Sequence, residues 1–277
     1  VELISDYFER LRLRAKIFYI GAVDGVLDVQ RDPGTALVHL LPQGGVELVR
    51  PDAPSLAIAA PGVLLCPERL TYRLRCAGPQ SPPIVCASFE LGRIIGDSNP
   101  LGLEQTLMFG IDAMPHLRPI IDLVLRELET PLPLPGRDKA LCALFEYMLV
   151  QLVRFALQQR LINRGSLAGL VDPKIGRALE FMHSQSDEEW DVARLAKLCG
   201  MSRSSFSSRF VELTGVPPIA YLVAWRIRQA QILMLQGTAL KIVASTIGYG
   251  SQAAFTRAFV GQCGLPPGEW LRMKLPS

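Results

Sequence analysis

The chain has 277 residues, 49% of them hydrophobic, with six cysteines and a net charge of only +3. That is apolar material for two ordinary domains, and it excludes a disordered chain. No uninterrupted apolar run reaches roughly 18 residues, and early charges (Glu2, Asp6, Glu9, Arg10, Arg12) stand where a signal peptide would be apolar, so a cytoplasmic protein with no membrane partner is expected.

Charge is unevenly spread. Residues 192–277 hold ten Lys and Arg against two acids, a local +8 that leaves −5 for the rest. A basic tail on a mildly acidic front suggests that the tail meets a polyanion. The cysteines (Cys66, Cys76, Cys86, Cys142, Cys199, Cys263) form no CxxC pair, and no His lies at zinc-finger spacing from two of them. Reduced, mostly buried thiols are expected.

In chain order, the runs Thr35–Leu41, Val46–Arg50, Val63–Cys66, Thr71–Cys76 and Ile84–Leu91 read as strands between Pro and Gly signals. Gln43-Gly44-Gly45 looks like a hairpin tip. Alternation in Thr71–Cys76 puts Tyr72, Leu74 and Cys76 on one face and Arg73 and Arg75 on the other. Such a series suggests a small barrel or sandwich. From about residue 115 the period becomes helical. Pro115–Glu129 is one helix, and Leu141, Phe145, Met148, Leu152 and Phe155 form the apolar seam of another, with Pro131–Pro135 between them. The seam either closes a hairpin within the chain or also packs on a second subunit, giving a homodimer through 115–163. Asp172-Pro173 opens a further helix with Asp as N-cap. The expected domains are 1–110, a hairpin over 111–168, and 169–277.

An internal repeat carries the functional signal. Ala196-x3-Gly200 returns as Ala244-x3-Gly248, 48 residues on. At an offset of 49, Ser202, Phe206, Phe210, Gly215 and Pro217-Pro218 match Ser251, Phe255, Phe259, Gly264 and Pro266-Pro267, and Tyr221 meets Trp270. The small Ala lets a second helix cross closely, the Gly permits a tight turn, and the Ser caps the helix that follows. Each Phe pair, four residues apart, faces a core. The opposite faces carry Ser204, Ser207, Ser208 and Val211, then Gln252, Ala253, Thr256 and Arg257. Short polar or basic side chains with no core to fill suit a reader of the major groove of double-stranded DNA. Pro217–Gln236 is expected to be a joining helix about 30 Å long, against about 34 Å for one turn of DNA. Two helical hairpins of purely structural use are the bland alternative.

These motifs, with Gly200-Met201-Ser202, Gly215-Val-Pro-Pro-Ile-Ala-Tyr-Leu222, Arg226-Ile-Arg-Gln-Ala230, Gly248-Tyr249 and Gly264-Leu-Pro-Pro267, resemble the DNA-binding domain of the AraC/XylS family over roughly Asp172–Met273. Trp270 stands where that family usually has Tyr. The resemblance implies base contacts at Ser204, Ser207, Ser208, Gln252, Ala253, Thr256 and Arg257. Arg203, Arg209, Arg226 and Lys241 are then expected on phosphates, and RNA polymerase is a further partner. The front half resembles, more weakly, the cupin-type effector domains of such regulators, with Arg69 and Tyr72 near the family's Gly and His positions. The fold class expected is therefore α+β in two domains: a cupin-like β-barrel with a helical hairpin, then an all-α domain of two helix-turn-helix units on a long helix.

Three histidines in the chain, His39, His116 and His183, are too few and too scattered for a three-His site. No metal, cofactor or catalytic residue is expected, and no nucleophile motif or phosphate loop rescues an enzyme reading. His39, Cys66, Tyr72 and Cys86 are the candidates for a small-molecule effector pocket. Cys86 is either a packed strand cysteine or, as in some relatives that the resemblance brings in, an oxidant sensor. The functions weighed are an effector-controlled regulator (an activator more often than a repressor), a redox-sensing regulator, and a ligand-free DNA-binding protein.

Overall fold

The computed structural model describes residues 3–11, 13–29, 35–51, 53–67, 72–76, 83–90, 101–103, 105–129 and 134–274; the expectation for Arg69 lies outside them. The chain divides into two compact units, one built mainly from 5–92 and 103–162, so that it holds the first helix from Ser5 onward, the other mainly from Asn163 onward.

The first unit opens with α1 (Leu3–Leu11) and then runs β1 (Ala15–Ala22), β2 (Val26–Asp28), β3 (Thr35–Leu41), β4 (Gly45–Arg50), β5 (Ala53–Ala59), β6 (Gly62–Cys66), β7 (Arg73–Cys76), β8 (Pro83–Glu90) and β9 (Leu107–Gly110). These make two antiparallel sheets, ordered β1-β8-β3-β6-β9 and β2-β7-β4-β5. Leu37, Leu41, Leu64, Cys66 and Cys86 from the first sheet share one core with Val46, Leu48, Ile58, Tyr72 and Leu74 of the second. Gln43-Gly44-Gly45 is not a hairpin tip. β3 pairs with β6 and β8, and β4 with β5 and β7, so the turn carries the chain from one sheet to the other. The alternation in β7 is as expected: Tyr72 and Leu74 are buried, while Arg73 meets Asp28 at 2.7 Å and Arg75 meets Glu47 on the exposed side.

Two helices complete the unit, α2 (Arg118–Glu129) and α3 (Arg137–Gln158). Leu141, Phe145, Met148 and Leu152 are wholly buried within this one chain, and Phe155 packs edge-on against Phe109 of β9 at 5.1 Å. Glu146 accepts a hydrogen bond from the backbone N–H of Ala15 in β1 (3.1 Å). The four wholly buried residues are therefore consumed by their own unit, and the expected dimer contact through them is corrected: a side chain with no accessible surface has nothing left to bury against a partner. α3 is long and apolar enough to match a membrane span by length and composition, yet this apolar face is the core of the unit.

The second unit is helical: α4 (Ser166–Val171), α5 (Ile175–Ser184), α6 (Val192–Leu198), α7 (Arg203–Thr214), α8 (Pro218–Leu235), α9 (Leu240–Thr246), α10 (Gln252–Cys263) and α11 (Pro267–Lys274). Its start at Asn163 is earlier than the boundary expected at 168/169. Residues 166–171 form α4, which packs on α5 and α7, and the Gly165 N–H donates to the Leu213 carbonyl at 2.7 Å.

Candidate nucleic-acid interface

The sequence repeat is a structural repeat. α6 and α9 have seven residues each, and α7 and α10 twelve. Ser202 Oγ accepts from the Ser205 N–H at 3.2 Å, and Ser251 Oγ from the Ala254 N–H at the same distance. Gly215 and Gly264 end the two helices at φ +80° and +74°, a left-handed conformation that only Gly adopts without cost. Phe206–Phe210 and Phe255–Phe259 both lie at 5.6 Å. Tyr221 meets Phe210 edge-on at 5.6 Å, and Trp270 meets Phe259 edge-on at 5.8 Å. The Trp at position 270 thus keeps the geometry of its Tyr counterpart.

With the Phe pairs turned inward, the other stripe of each helix is left outward. On α7 it carries Ser204, Ser207, Ser208 and Val211; the equivalents on α10 are Ala253, Thr256, Arg257 and Val260. Ser207 and Thr256 are half-buried and the other six are exposed. Gln252 precedes the second stripe, also exposed. Val260 was missed in the sequence, although adding 49 to Val211 points straight at it. A cleft of about 510 Å³ runs along α7 and brings Lys174 beside Ser205 and Ser208.

The four basic residues expected on phosphates divide. Arg203 and Lys241 are exposed. Arg209 instead binds Asp172, with Nε 3.1 Å from Oδ2. Arg226 is half-buried, donating through Nε to the Ser186 carbonyl (2.5 Å) and through Nη2 to the Glu188 carbonyl (2.7 Å). Burial pulls its pKa below the ordinary arginine value. Nε and Nη2 are both taken by backbone oxygens, so the phosphate expectation for Arg226 is revised to a structural role.

The effector candidates of the first unit do converge. His39 and Cys86 are register partners on β3 and β8, and Nδ1 lies 2.9 Å from Cys86 Sγ. Nε2 is 2.6 Å from the Tyr72 hydroxyl, which comes from the other sheet. His39 is fully buried, which lowers its pKa to about 3, so the ring is neutral. Burial, then nearby Cys66, pushes the Cys86 thiol well up. Among the described residues no group of three or more His, Cys, Asp or Glu is placed to hold a metal ion.

A two-sheet domain joined to a duplicated helix-turn-helix unit with two outward polar stripes defines a two-domain, DNA-binding regulator. Residues 2–158 match the profile of the family described as "Cupin", and residues 195–273 that of "Helix-turn-helix domain". The chain belongs to the AraC/XylS family of transcription regulators, with a cupin-type first domain. It is 27% identical to the RCS-specific HTH-type transcriptional activator RclR of Escherichia coli, over 84% of this chain and 82% of that protein. It is 36% identical to an AraC-like transcription regulator of Streptomyces antibioticus over 47% of this chain, a match spanning only 43% of that protein's length. Among solved structures it is similar to ToxT from Vibrio cholerae, at 15% identity and a TM-score of 0.41, over 96% of this chain and 99% of that one.

Proposed function

We propose that the chain reads double-stranded DNA with two recognition helices, α7 and α10, and acts as an effector-controlled transcription activator and not as an enzyme. The observation that carries the reading is the pair of equivalent outward stripes. Base contacts are assigned to Ser204, Ser207 and Ser208 on one helix and to Gln252, Ala253, Thr256 and Arg257 on the other. Arg203 and Lys241 serve as phosphate contacts. α8, at 18 residues, is about 27 Å long, which suits one turn of duplex between the two readings. Activation, with RNA polymerase as the partner, is supported by the relative named as an activator. Selection of duplexes from a random pool, followed by footprinting, tests this: two protected segments about one turn apart are expected, and a pool that never gains a sequence preference would sink the assignment.

Control is assigned to the cupin-type unit. His39, Tyr72 and Cys86 form a polar group inside an apolar core, where hydrophobic side chains of similar volume would often be at least as stable. A small molecule exchanging for these internal hydrogen bonds is the effector reading. Against the oxidant reading, in which Cys86 is the sensor, stands the burial of a protonated thiol, which makes it a poor nucleophile. A metabolite that raises the melting temperature of the first unit and shifts operator affinity supports the former. An oxidant response abolished by Cys86→Ser, with metabolite binding intact, would replace it. Homodimerisation is assigned to the outward side of the helical pair, where Leu123 and Tyr147 are exposed.

A further inference from the structure

α8 joins the two helix-turn-helix units and packs on both, with Tyr221 against Phe210 of the first and Ile227, Ala230 and Met234 in the core of the second. A second connection is present. Loop 185–191, between α5 and α6, is fastened to the first helix-turn-helix unit: Trp190 Nε1 donates to the Gln185 carbonyl at 2.8 Å, Arg194 covers the Trp190 ring at 4.0 Å and donates to the Glu189 carbonyl, and Asp191 caps α6 through the Arg194 N–H. The same loop touches the turn of the second unit. Gly248, at φ +82°, lies so close that a Cβ there would be 2.5 Å from the Asp187 carbonyl oxygen and 2.6 Å from its Cα. Arg226, midway along α8, grips the Ser186 and Glu188 carbonyls on either side of that contact, and its guanidinium carbon sits 5.7 Å from the centre of the Tyr249 ring, next to Gly248.

We propose that Arg226 and Gly248 are positioning residues that lock the two helix-turn-helix units together through loop 185–191, and thereby set the spacing at which α7 and α10 can read DNA. The inference rests on the two-helix reading of DNA. The lock works because each element supplies what the others need. Backbone carbonyls in a loop want donors, a guanidinium offers several in a fixed plane, and the missing side chain at 248 allows the backbone approach. A protein with both attachments presents one fixed separation and one fixed rotation between its recognition helices. One added base pair shifts the second reading by about 3.4 Å and turns it by roughly a tenth of a turn, and a locked pair cannot follow.

The test measures affinity of the full chain for the best duplex selected from a random pool and for versions with one base pair inserted or removed between the two protected segments. The variants are Arg226→Lys, which keeps the charge but not the planar two-carbonyl grip, and Arg226→Met. The wild type is expected to lose at least tenfold on either spacing change. Arg226→Lys should lose less than threefold for the same change, with a modest loss at the native spacing. A lysine variant that keeps the wild-type spacing profile overturns the lock, as does a wild type indifferent to spacing. A Met variant weakened equally at every spacing, with a shallower salt dependence, makes Arg226 a phosphate contact instead. Amide hydrogen exchange on the DNA-free chain separates this inference from the DNA reading. In Arg226→Lys, the amides of 186–190 and those of 248–250 should both exchange several-fold faster. Acceleration of only one segment, or of neither, defeats the proposal whether or not DNA is ever bound.

Discussion

Asp172 holds Arg209 across the groove between α5 and α7, and the same carboxylate caps α5: Oδ2 takes the guanidinium, while Oδ1 accepts the N–H groups of Lys174 (3.0 Å) and Ile175 (2.9 Å). One side chain, 7% exposed, therefore orients the first recognition helix against the start of the domain. Burial alone would raise its pKa, but Arg209 and the two amides outweigh it, leaving the carboxyl below its ordinary value of about 4. A depressed carboxylate pKa adds stability above the ordinary value, and that contribution is lost as pH falls through the folded one. Asp172→Ala should cost about 0.5–2 kcal/mol at pH 7, the loss of a cap. Asp172→Asn, which can still cap, should cost less, and both differences should shrink below about pH 4. Urea unfolding followed by tryptophan fluorescence checks this, since Trp190, Trp225 and Trp270 all lie in the second unit. A gap between mutant and wild type that widens in acid would contradict the sign.

The helical seam of the first unit gives a second test. Phe145→Ala removes a wholly buried ring and should destabilise the unit by about 3–5 kcal/mol. Tyr147→Glu, two residues on, changes a side chain that is 46% exposed and should leave the fold intact. Sedimentation then decides the dimer. Wild type as dimer and folded Tyr147→Glu as monomer is expected, and a monomeric wild type at micromolar concentration removes the dimer from the proposal.

The second unit was largely legible because its sequence states each rule twice. Ser202 and Ser251, the Phe pairs and the Pro-Pro starts are local signals, and duplication made them unambiguous. The roles of Arg209 and Arg226 were not legible. Whether a basic residue faces phosphate or a carbonyl 40 positions away depends on packing that no periodicity encodes. In the first unit β3, β4, β6, β7 and β8 could be read, but β1, β2, β5 and β9 could not. β1 is an edge strand of half-exposed alternation, and β5 (Ala53–Ala59) is short of bulky residues. The hairpin reading of Gly44 failed because a Gly-rich turn gives no indication of which sheet the next strand will join. The convergence of His39, Tyr72 and Cys86 was readable only as alternation. The register that sets His39 opposite Cys86 is a tertiary fact.

That cluster predicts a pH response of its own. His39 is neutral in the fold, with a pKa near 3, and would take a proton near its ordinary value of about 6.5 once unfolded. A depressed histidine pKa adds stability above 6.5 that drains away as pH falls toward 3. The first unit should therefore weaken steadily between pH 6.5 and 4 in chemical unfolding followed by far-ultraviolet circular dichroism. His39→Leu should be less stable at pH 7, yet flatter across that range. In the native protein Cys86 should react with iodoacetamide far more slowly than the less buried Cys76. Rapid labelling of Cys86 would revive the oxidant reading.

The two recognition helices should not contribute equally to sequence choice. Position for position, α7 presents Ser208 where α10 presents Arg257, and Ser204 where α10 has Ala253. A serine hydroxyl reaches little beyond the helix surface and can donate or accept, so it distinguishes bases weakly. An arginine can make two hydrogen bonds to one guanine. Arg257→Ala should cost about 1–3 kcal/mol at the selected site and relax the base preference in one segment only. Ser207→Ala and Ser208→Ala should each cost less, with most of the preference in the other segment retained through close approach of a small-faced helix. Phosphate contacts behave differently. Arg203→Ala and Lys241→Ala should weaken all duplexes alike, each lowering the slope of log affinity against log salt by about 1. Affinities of these five variants on the selected duplex and on a scrambled one, across a salt series, separate the classes. If Arg257→Ala lost affinity equally on both duplexes, Arg257 would move to the phosphates, and the second recognition helix would have no strong base contact left but Gln252.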